Sequence, residues 1–497
     1  MKKTNNIARM AVGVLAALLL LGACATLPTA SSVGRLSGPL VSTGFPQESQ
    51  LSAYAKEGLS GLSTFQLANG IPVVVRRNAA SPVRNLTLVI RGGATAATPA
   101  TAGYESLALN VMARASAKYS YDDIQALLDE TSASMGPGTN LEYSTYSLTA
   151  LDKYFAKLLP VWADTLMAPA FSQEDFDQVL SQAKLAVQSK EKDPWQRTGV
   201  VMNAAFFSGH PYAPAPEGTK DSLAAATLDA VKAWYAKSFS ADRIFIVASG
   251  DFDAAALKKD LDAAIGALPD RKAGVPALAP RFSLAGTGSL IKVEHPSAKS
   301  IAFVRGDFAA PAPGDADYMA ANIAFKMYSD LLFSVVRDEH GAVYTPSAYI
   351  RSFGANYGSI VMYKTNVPGK IKAYIDEATA QFAAGKILSP DASEDGSAPR
   401  MSVEEGLAMY KAQFANEYFE KLQTNSAVSG LIAQSVITTG DCRTWLLDAQ
   451  RIDSVTAAEV KAAAAKYIFG NRITWVVLGT KENLATVSDA DFQAFKM

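Results

Sequence analysis

Arg337 and Tyr344 stand seven positions apart in an Arg-x-x-x-Gly-x-x-Tyr arrangement. A guanidinium and a phenol both donate hydrogen bonds, so both can stabilise an oxygen that gains negative charge during a reaction. The ordinary alternative is an arginine paired with a neighbouring aspartate and a tyrosine packed against a sheet. The two residues alone leave both interpretations open.

Metal ligands, by contrast, are scarce in this chain. The histidines are His210, His295 and His340, and no two of them lie within reach of each other along one helix. A zinc site with two histidines would therefore need distant parts of the chain to converge. The cysteines are Cys24 and Cys442, and modification of the first leaves no intramolecular disulfide. We interpret Cys442 as a packed or half-exposed thiol.

The composition is that of a globular protein with more than one domain. The chain has 497 residues, of which 49% are hydrophobic and 19% are charged, and its net charge is −1. A chain of this length has room for about two to four domains. The near-neutral charge balance argues against a nucleic-acid partner, which calls for a basic face.

The N-terminal segment is typical of a bacterial lipoprotein signal. A basic stub precedes a short apolar run, and small residues lead to Cys24. We predict a signal peptide over residues 1–23, acylation of Cys24, and a flexible tether over residues 24–58. Ala25, in place of aspartate, favours by analogy the outer membrane, with the protein facing the periplasm. A plain secretory signal with a chance cysteine is the alternative.

One sequence pattern occurs twice in the chain. Several residues recur at one constant spacing of 229 positions: Thr227/Thr456, Val231/Val460, Lys237/Lys466, Arg243/Arg472 and Gly250/Gly479. Two halves built on one plan are therefore expected. We predict an N-terminal domain over 59–268, a linker over 269–283 and a C-terminal domain over 284–497.

Hydrophobic periodicity and turn residues predict an α+β fold. In each half, strands come before and after runs of helix instead of alternating with them strictly. We expect a mostly antiparallel sheet in each half, with helices packed on one face. The predicted helices are 103–114, 122–131, 152–167, 174–190, 231–238, 315–338, 369–384, 402–418 and 456–467. The predicted strands are 64–67, 71–76, 86–91, 143–148, 244–248, 290–294, 301–304, one near 348, 358–363 and 473–478.

This layout resembles the insulinase-type (M16) metallopeptidases and their relatives among the mitochondrial processing peptidase and cytochrome bc1 core subunits. The resemblance runs from about Ser63 to the C-terminus and implies two α/β-sandwich halves of the M16/LuxS-like kind. It rests on short motifs in the family's order: Leu67-Ala-Asn-Gly-Ile-Pro-Val-Val-Val, Arg91-Gly-Gly, His210-Pro-Tyr, Gly218-Thr219 and Arg337-Asp-Glu-His-Gly-Ala-Val-Tyr344.

The resemblance also implies where a zinc site would lie, and that this chain has lost it. Active members carry His-x-x-Glu-His on the first long helix, with a more distant Glu as the third ligand. The corresponding positions here are Ser106 and Asn110 for the histidines, Leu109 for the general base and Ala186 for the third ligand. None of these is a good zinc ligand, so we expect no zinc or other cofactor in this chain. We interpret the nearby Glu105 as part of a solvated helix face.

In the family, an Arg and a Tyr of the C-terminal half reach towards the scissile peptide and bind its carbonyl. The resemblance implies this role for Arg337 and Tyr344. Some bacterial members work as heterodimers in which one chain holds zinc and the other supplies the pair, and this chain resembles the second type. The family also adds a substrate peptide to an edge strand, expected here near residues 141–145. Met135-Gly-Pro-Gly138 before it departs from the usual sequence.

Three hypotheses of function follow. The first is a non-catalytic, lipid-anchored subunit that binds unfolded peptide and contributes Arg337 and Tyr344 to a zinc-bearing M16-like partner, although a homodimer is also open. The second is a peptide- or protein-binding envelope scaffold without an enzymatic role. The third is an active metallopeptidase with a rebuilt zinc site.

Overall fold

The computed structural model of the protein describes residues 40–284, 288–390 and 399–492. The predicted signal peptide, Cys24 and the first part of the predicted tether lie outside these residues. Within them, none of the helices combines the length and the apolar character that crossing a membrane requires.

The first half is built on a six-stranded sheet. Its strands are β1 (Leu62–Gln66), β2 (Pro72–Arg77), β3 (Val83–Arg91), β4 (Ser134–Thr139), β5 (Tyr143–Leu151) and β6 (Ile244–Gly250). Their spatial order is β1-β2-β6-β3-β5-β4. Neighbouring strands are antiparallel except β2 and β6, which are parallel.

The helices of the first half follow the predicted runs, with several that the sequence did not predict. They are α1 (Ala53–Ser60), α2 (Tyr104–Met112), α3 (Tyr121–Thr131), α4 (Asp152–Met167), α5 (Gln173–Lys192), α6 (Pro194–Phe206), α7 (Lys220–Ala225), α8 (Leu228–Ser238) and α9 (Ala254–Ile265). The Ser172 side chain accepts the N–H of Asp175 and caps α5. Gly103, the residue just before α2, has φ +82°, and a Cβ added there would lie 2.6 Å from Gly218.

The second half repeats this plan with a five-stranded sheet. Its strands are β7 (Ser289–Glu294), β8 (Ala302–Ala309), β9 (Thr345–Ile350), β10 (Tyr357–Thr365) and β13 (Thr474–Gly479), with a short hairpin of β11 (Lys386–Leu388) and β12 (Arg400–Ser402) beside them. The order β7-β13-β8-β10-β9 matches β2-β6-β3-β5-β4 strand for strand. The parallel pair also corresponds, because β13 runs parallel to β7.

The helices of the second half are α10 (Tyr318–Leu332), α11 (Pro368–Ala383), α12 (Val403–Lys421), α13 (Asn425–Thr439), α14 (Asp448–Ser454), α15 (Ala457–Ala464) and α16 (Lys481–Ala485). Two of these helices continue as π-helix, α10 over Phe333–Glu339 and α15 over Ala465–Phe469. The predicted α+β architecture of two similar halves is confirmed, and most of the predicted helices and strands are present.

Each sheet packs its own half's helices against one face. In β3, Leu86, Leu88 and Ile90 belong to a core that includes Leu107 of α2 and Trp162 of α4. Side chains alternate along a strand, so the residues between them point to the opposite face. That opposite face is buried as well, because β3 and β6 have almost no exposed positions.

In each half, the face of the sheet opposite its own helices is covered by a helix of the other half. The hydroxyl of Ser429 on α13 lies 2.9 Å from that of Ser249 on β6, so α13 of the second half packs on the sheet of the first. Reciprocally, Trp195 on α6 contacts the rings of Phe303 and Tyr363 on the sheet of the second half. The halves are therefore held together by interlocked helices as well as by the linker.

The prediction of a flexible tether is wrong for residues 40–58. The N–H of Cys442 donates to the carbonyl of Leu40 at 2.9 Å, and the N–H and hydroxyl of Ser42 both donate to Asp441 at 2.9 Å. Further on, the Tyr54 ring packs edge-on against Tyr418. This segment, which we call the N-terminal strap, is fixed along the second half by polar contacts that local composition did not indicate.

Candidate functional site

The four positions aligned with the zinc motif lie on α2 and α5, which pack side by side. Asn110 is exposed, and its amide donates to the carbonyl of Ser106 one turn earlier at 2.8 Å. Leu109 is 2% exposed and belongs to the core, while Ala186 on α5 is exposed. The fold therefore retains the two helices that would frame a zinc site, and their side chains present only a hydroxyl and an amide there.

Nor do the histidines or Cys442 come together elsewhere. His210 and His295 each contact a backbone carbonyl, at 2.8 and 3.0 Å, and His340 lies 2.8 Å from Glu377. Over the described ranges, no group of three or more His, Cys, Asp or Glu side chains could hold a metal ion. Cys442 is free and buried, and burial raises the pKa of its thiol to about 12.

The interpretation of Glu105 as part of a solvated helix face is wrong. Glu105 is 4% exposed, and its Oε1 accepts a hydrogen bond from the hydroxyl of Ser144 at 2.7 Å. Its Oε2 lies 3.4 Å from the indole nitrogen of Trp234 and 3.8 Å from the guanidinium of Arg243. Burial raises the pKa of Glu105, and the nearby Arg243, Ser144 and Trp234 only partly oppose this effect.

The burial of Glu105 follows from its position on α2. Residues four apart share one face of a helix, and Leu109, four residues later, lies in the core. That spacing was visible in the sequence and could have indicated the buried face. The partner Arg243 was also visible, as a residue of the internal repeat, but its counterpart Arg472 is exposed. The ion pair is thus specific to the first half.

Arg337 and Tyr344 are brought together by the end of the π-helical turn after α10. The guanidinium carbon of Arg337 lies 4.4 Å from the ring centroid of Tyr344 and 4.5 Å from that of Phe333. Tyr344 is 73% exposed, so it is not packed against the sheet. The contact between Arg337 and Asp338 is long, at 3.9 Å. The tyrosine of the ordinary alternative is therefore not packed against the sheet, while Asp338 lies within ion-pair distance of Arg337.

Two aromatic rings flank the guanidinium of Arg337, and the Tyr344 side chain is exposed. Both side chains can donate hydrogen bonds, and they lie next to each other after the π-helical turn.

The prediction that the segment near residues 141–145 is an edge strand is wrong. That segment leads into β5, which is paired on both sides, with β3 and with β4. The free edge is β4, which contains the unusual Met135-Gly-Pro-Gly138 segment. Asn140 and Tyr143 form a hydrogen-bonded pair, so alternation along the hairpin makes Pro137↔Tyr146 a pair without hydrogen bonds. Pro137 has no N–H, so the donor that β4 lacks is on its outer, free side. A peptide added there would pair less regularly than on an ordinary edge.

Comparison with known proteins identifies the family. Residues 72–219 match the model of insulinase (peptidase family M16), and residues 225–390 match that of the peptidase M16 inactive domain. A non-peptidase homolog of Helicobacter pylori is 26% identical over 203 residues, which is 41% of this chain and 47% of the relative. An uncharacterized zinc protease of Streptomyces coelicolor is 23% identical over 390 residues, or 77% of this chain and 82% of that protein.

Solved structures show the same fold at lower identity. A peptidase M16 inactive domain from Pseudomonas fluorescens superposes with a TM-score of 0.73 at 18% identity, covering 84% of this chain and 98% of that one. A chain of complex III2 from Candida albicans has a TM-score of 0.71 at 18% identity, covering 87% and 99%. These matches, with the zinc positions occupied by Ser106, Leu109, Asn110 and Ala186, support a non-catalytic member. The chain belongs to the insulinase (M16) peptidase family.

Proposed function

We propose that this chain is a non-catalytic subunit of an M16-type peptidase complex. It binds an unfolded peptide and directs Arg337 and Tyr344 at the peptide carbonyl that a zinc-bearing partner hydrolyses. The observation that carries the proposal is the contrast between the two halves. The first half lacks zinc ligands at the family's positions, whereas the second half presents its carbonyl-binding pair together and open to solvent.

The chemistry of such a division is straightforward. A zinc-bound hydroxide that attacks a peptide carbonyl places negative charge on the carbonyl oxygen. A guanidinium and a phenol that donate to this oxygen stabilise the transition state and need neither a metal nor a base of their own. The subunit would therefore raise the rate of its partner's reaction while being inactive alone.

The proposal extends to location and partners. The predicted lipoprotein signal would attach the mature chain through Cys24 to the bacterial envelope, most simply at the outer membrane and facing the periplasm. The partner would be an M16-like chain with an intact His-x-x-Glu-His motif. Co-purification from detergent extracts should recover that chain, and recovery of homodimers alone would count against the heterodimer.

The mechanistic test uses the purified pair and two variants. Arg337→Ala removes the guanidinium, and Tyr344→Phe removes only the hydroxyl while leaving a ring over Arg337. Each should lower the peptidase kcat of the pair by about 10²-fold, the usual effect of losing one oxyanion donor. Arg77→Ala, which changes an exposed arginine paired with Asp251, is the matched control and should leave kcat unchanged. Unchanged kcat in both test variants would refute the assigned role.

Metal analysis of the isolated chain separates this proposal from a rebuilt active site. The proposal expects zinc well below one equivalent and no peptidase activity of the chain alone. Stoichiometric zinc, removed by a chelator together with activity, would revive the active metallopeptidase.

A scaffold without an enzymatic role is the second candidate, and the edge strand favours it. Pro137 within β4 weakens the strand on which a peptide would be added. A scaffold would still assemble with an envelope partner, but Arg337→Ala would change neither assembly nor any activity of the complex. The kcat measurement above therefore decides between the two candidates.

A further inference from the structure

His210 is half-buried near the linker between the halves, and both of its ring nitrogens form hydrogen bonds. Its Nδ1 accepts the N–H of Tyr212 at 3.1 Å, and its Nε2 lies 2.8 Å from the carbonyl of Pro280 in the linker. An N–H only donates and a carbonyl only accepts, so Nδ1 carries the lone pair and Nε2 carries the proton. The imidazole is therefore neutral in this arrangement, and its tautomer is fixed.

Tyr212, whose backbone His210 binds, connects the first half to the second. Its hydroxyl donates to Oε1 of Glu142 at 2.6 Å and accepts the N–H of Ala355 at 3.1 Å. The same Oε1 accepts the N–H of Gly354 at 2.8 Å. Two neighbouring N–H groups of the second half are thus bound by two side chains of the first. These side chains are 1% and 6% exposed, so the bonds are shielded from water.

We propose that the His210-Pro-Tyr212 segment is a proton-sensitive clasp between the two halves, which opens in mild acid. A second proton on the imidazole points an N–H of Nδ1 at the N–H of Tyr212, so two donors face each other and the hydrogen bond is lost. The backbone at Tyr212 must then move, and its hydroxyl loses the contacts with Glu142 and Ala355. Losing one such bond changes the opening equilibrium by about fivefold or more.

The surroundings of His210 favour the neutral ring. Burial lowers its pKa, and the bond to the Pro280 carbonyl only partly opposes this effect. The clasp is therefore stable above the ordinary histidine pKa of 6.5 and loses stability as the pH falls below it. Among the described residues no carboxylate pairs with this ring, and the stacked ring of Phe282, 4.2 Å away, offsets only part of the loss. The titratable and charged side chains on the segments packed around it are Glu142, Tyr212, Arg281, which pairs with Asp315, and Arg351, which lies over Tyr357.

Glu142 responds to acid in the opposite direction. Burial raises its pKa, although Tyr212 and the N–H groups of Gly354 and Ala355 partly oppose this effect. The cost of its buried charge is therefore relieved as the pH falls through that pKa. A protonated carboxyl can still accept both hydrogen bonds at Oε1. Acid thus weakens the clasp at His210 and not at Glu142.

His295 repeats this arrangement at another contact between the halves. It also precedes a proline, its Nδ1 accepts the N–H of Ser297 at 3.2 Å, and its Nε2 lies 3.0 Å from the carbonyl of Glu191. Glu191 is in the last turn of α5, and a helix C-terminus favours positive charge. A second proton therefore costs less at this ring than at His210. The inference goes beyond the proposed function and does not depend on its carbonyl-binding pair.

Hydrogen–deuterium exchange of the full-length chain in detergent tests the clasp at about pH 7.5 and about pH 5, on either side of the histidine range. Protection is expressed relative to the intrinsic exchange rate at each pH, because that rate itself changes with pH. Peptides that contain Tyr212, and peptides that contain Gly354 and Ala355, should lose protection about fivefold or more in acid. Strand β6, in the core of the first half, should keep its protection.

Two variants of His210 assign the response to this ring. His210→Gln keeps an N–H for the Pro280 carbonyl, and His210→Asn keeps an acceptor for the N–H of Tyr212. Neither side chain titrates in this range, so each variant should show the same junction protection at both pH values, whatever its level. Comparable urea midpoints at about pH 7.5 establish that at least one of them folds as the parent does.

Three further variants are controls. Glu142→Gln removes the opposing carboxyl and should retain the loss of protection in acid. His340→Gln is the matched removal of a histidine outside the junction, one that contacts Glu377, and should retain the loss as well. His295→Gln should leave most of the loss at Tyr212.

Three results would overturn the proposal. The first is unchanged protection of the junction peptides in acid. The second is an equal loss of protection in β6, which would mean that the whole fold is destabilised. The third is a loss that persists in the folded His210 variants, which would assign the response to another group.

Discussion

The buried Glu105–Arg243 pair predicts an unequal response to the removal of its two charges. Both side chains are almost fully buried, with 5% and 4% exposed. Burial already raises the pKa of Glu105 despite the guanidinium 3.8 Å away. Arg243→Met should therefore destabilise the protein strongly, because the carboxylate then loses its counter-charge. Glu105→Gln should cost less than Arg243→Met, because it removes a charge that the site already disfavours, although the buried guanidinium of Arg243 then loses its counter-charge.

The magnitude follows from the options left to the carboxylate. If it stays charged, it loses about 4 kcal/mol of attraction at an effective dielectric constant near 20. If it takes up a proton at pH 7, the cost from its ordinary pKa of 4.5 is about 3.4 kcal/mol, at about 1.36 kcal/mol per unit. Arg243 also donates to the carbonyl of Arg91, and this loss adds about 1 kcal/mol. The expected total is about 4–5 kcal/mol, at the upper end of what breaking a buried ion pair costs.

Urea unfolding at several pH values measures this effect. A raised folded-state pKa means that the folded protein holds the proton more tightly, so the penalty is full above that pKa and is relieved as pH falls through it. Arg243→Met should therefore regain stability as the pH falls from neutral towards the ordinary pKa of the carboxyl, 4.5. Adding Glu105→Gln to Arg243→Met should restore most of the lost stability at pH 7. Arg472→Met, the exposed counterpart in the repeat, is the control and should change stability by less than about 0.5 kcal/mol.

The reasoning would be refuted by a different pattern of stabilities. Equal destabilisation by Glu105→Gln and Arg243→Met would mean that the ion pair stabilises the fold and that desolvation does not dominate. If adding Glu105→Gln does not restore stability to Arg243→Met, the destabilisation comes from lost packing and not from the unpaired carboxylate.

Three further predictions concern the strap, a second perturbed carboxyl and the helix exchange. Burial acts to raise the pKa of Asp441, but hydrogen bonds from Arg443 and Ser42 hold it below its usual range. Asp441→Asn should lower the free energy of unfolding by about 1.5–3 kcal/mol above pH 4, and by less in acid. The same variant should speed proteolysis of the strap. Burial raises the pKa of Asp448 to about 6, so the stability of the protein should fall as pH rises through 6. In Asp448→Asn, the urea midpoint of unfolding should no longer change with pH in this range. Trp195→Ala should lower the free energy of unfolding in urea by about 2–4 kcal/mol. A loss below 1 kcal/mol would contradict a structural role for α6 on the sheet of the second half.

The internal repeat predicted the plan of the molecule from local patterns. Strand order is the same in both halves, and the 229-position shift also relates α5 to α12 and α6 to α13. Capping residues and hydrophobic spacing are properties of neighbouring residues, so helices such as α4 were predicted with their bounds. The sequence did not predict α6 and α13, although they occupy corresponding places in the two halves.

Two of the errors share one physical cause. The strap and the buried Glu105 both depend on partners far away in the chain, whereas β4 pairs with β5 in a local hairpin. Ser42 contacts Asp441, and Glu105 contacts Arg243, across long loops of sequence. Local composition carries no information on such contacts, since a serine-rich segment or a helical glutamate is usually solvated.

The sequence by itself determined which chemistry is possible at the family's zinc positions, because side-chain identity decides whether a donor atom exists. No fold can provide an imidazole or a carboxylate at these four positions, which are Ser106, Leu109, Asn110 and Ala186. Only the tertiary structure decided which charges are desolvated. Glu142 and Arg91 are ordinary residues in the sequence, and burial in the folded chain raises the pKa of the first and lowers the pKa of the second. Burial and electrostatic environment are set by long-range packing, and that packing exists only in the folded chain.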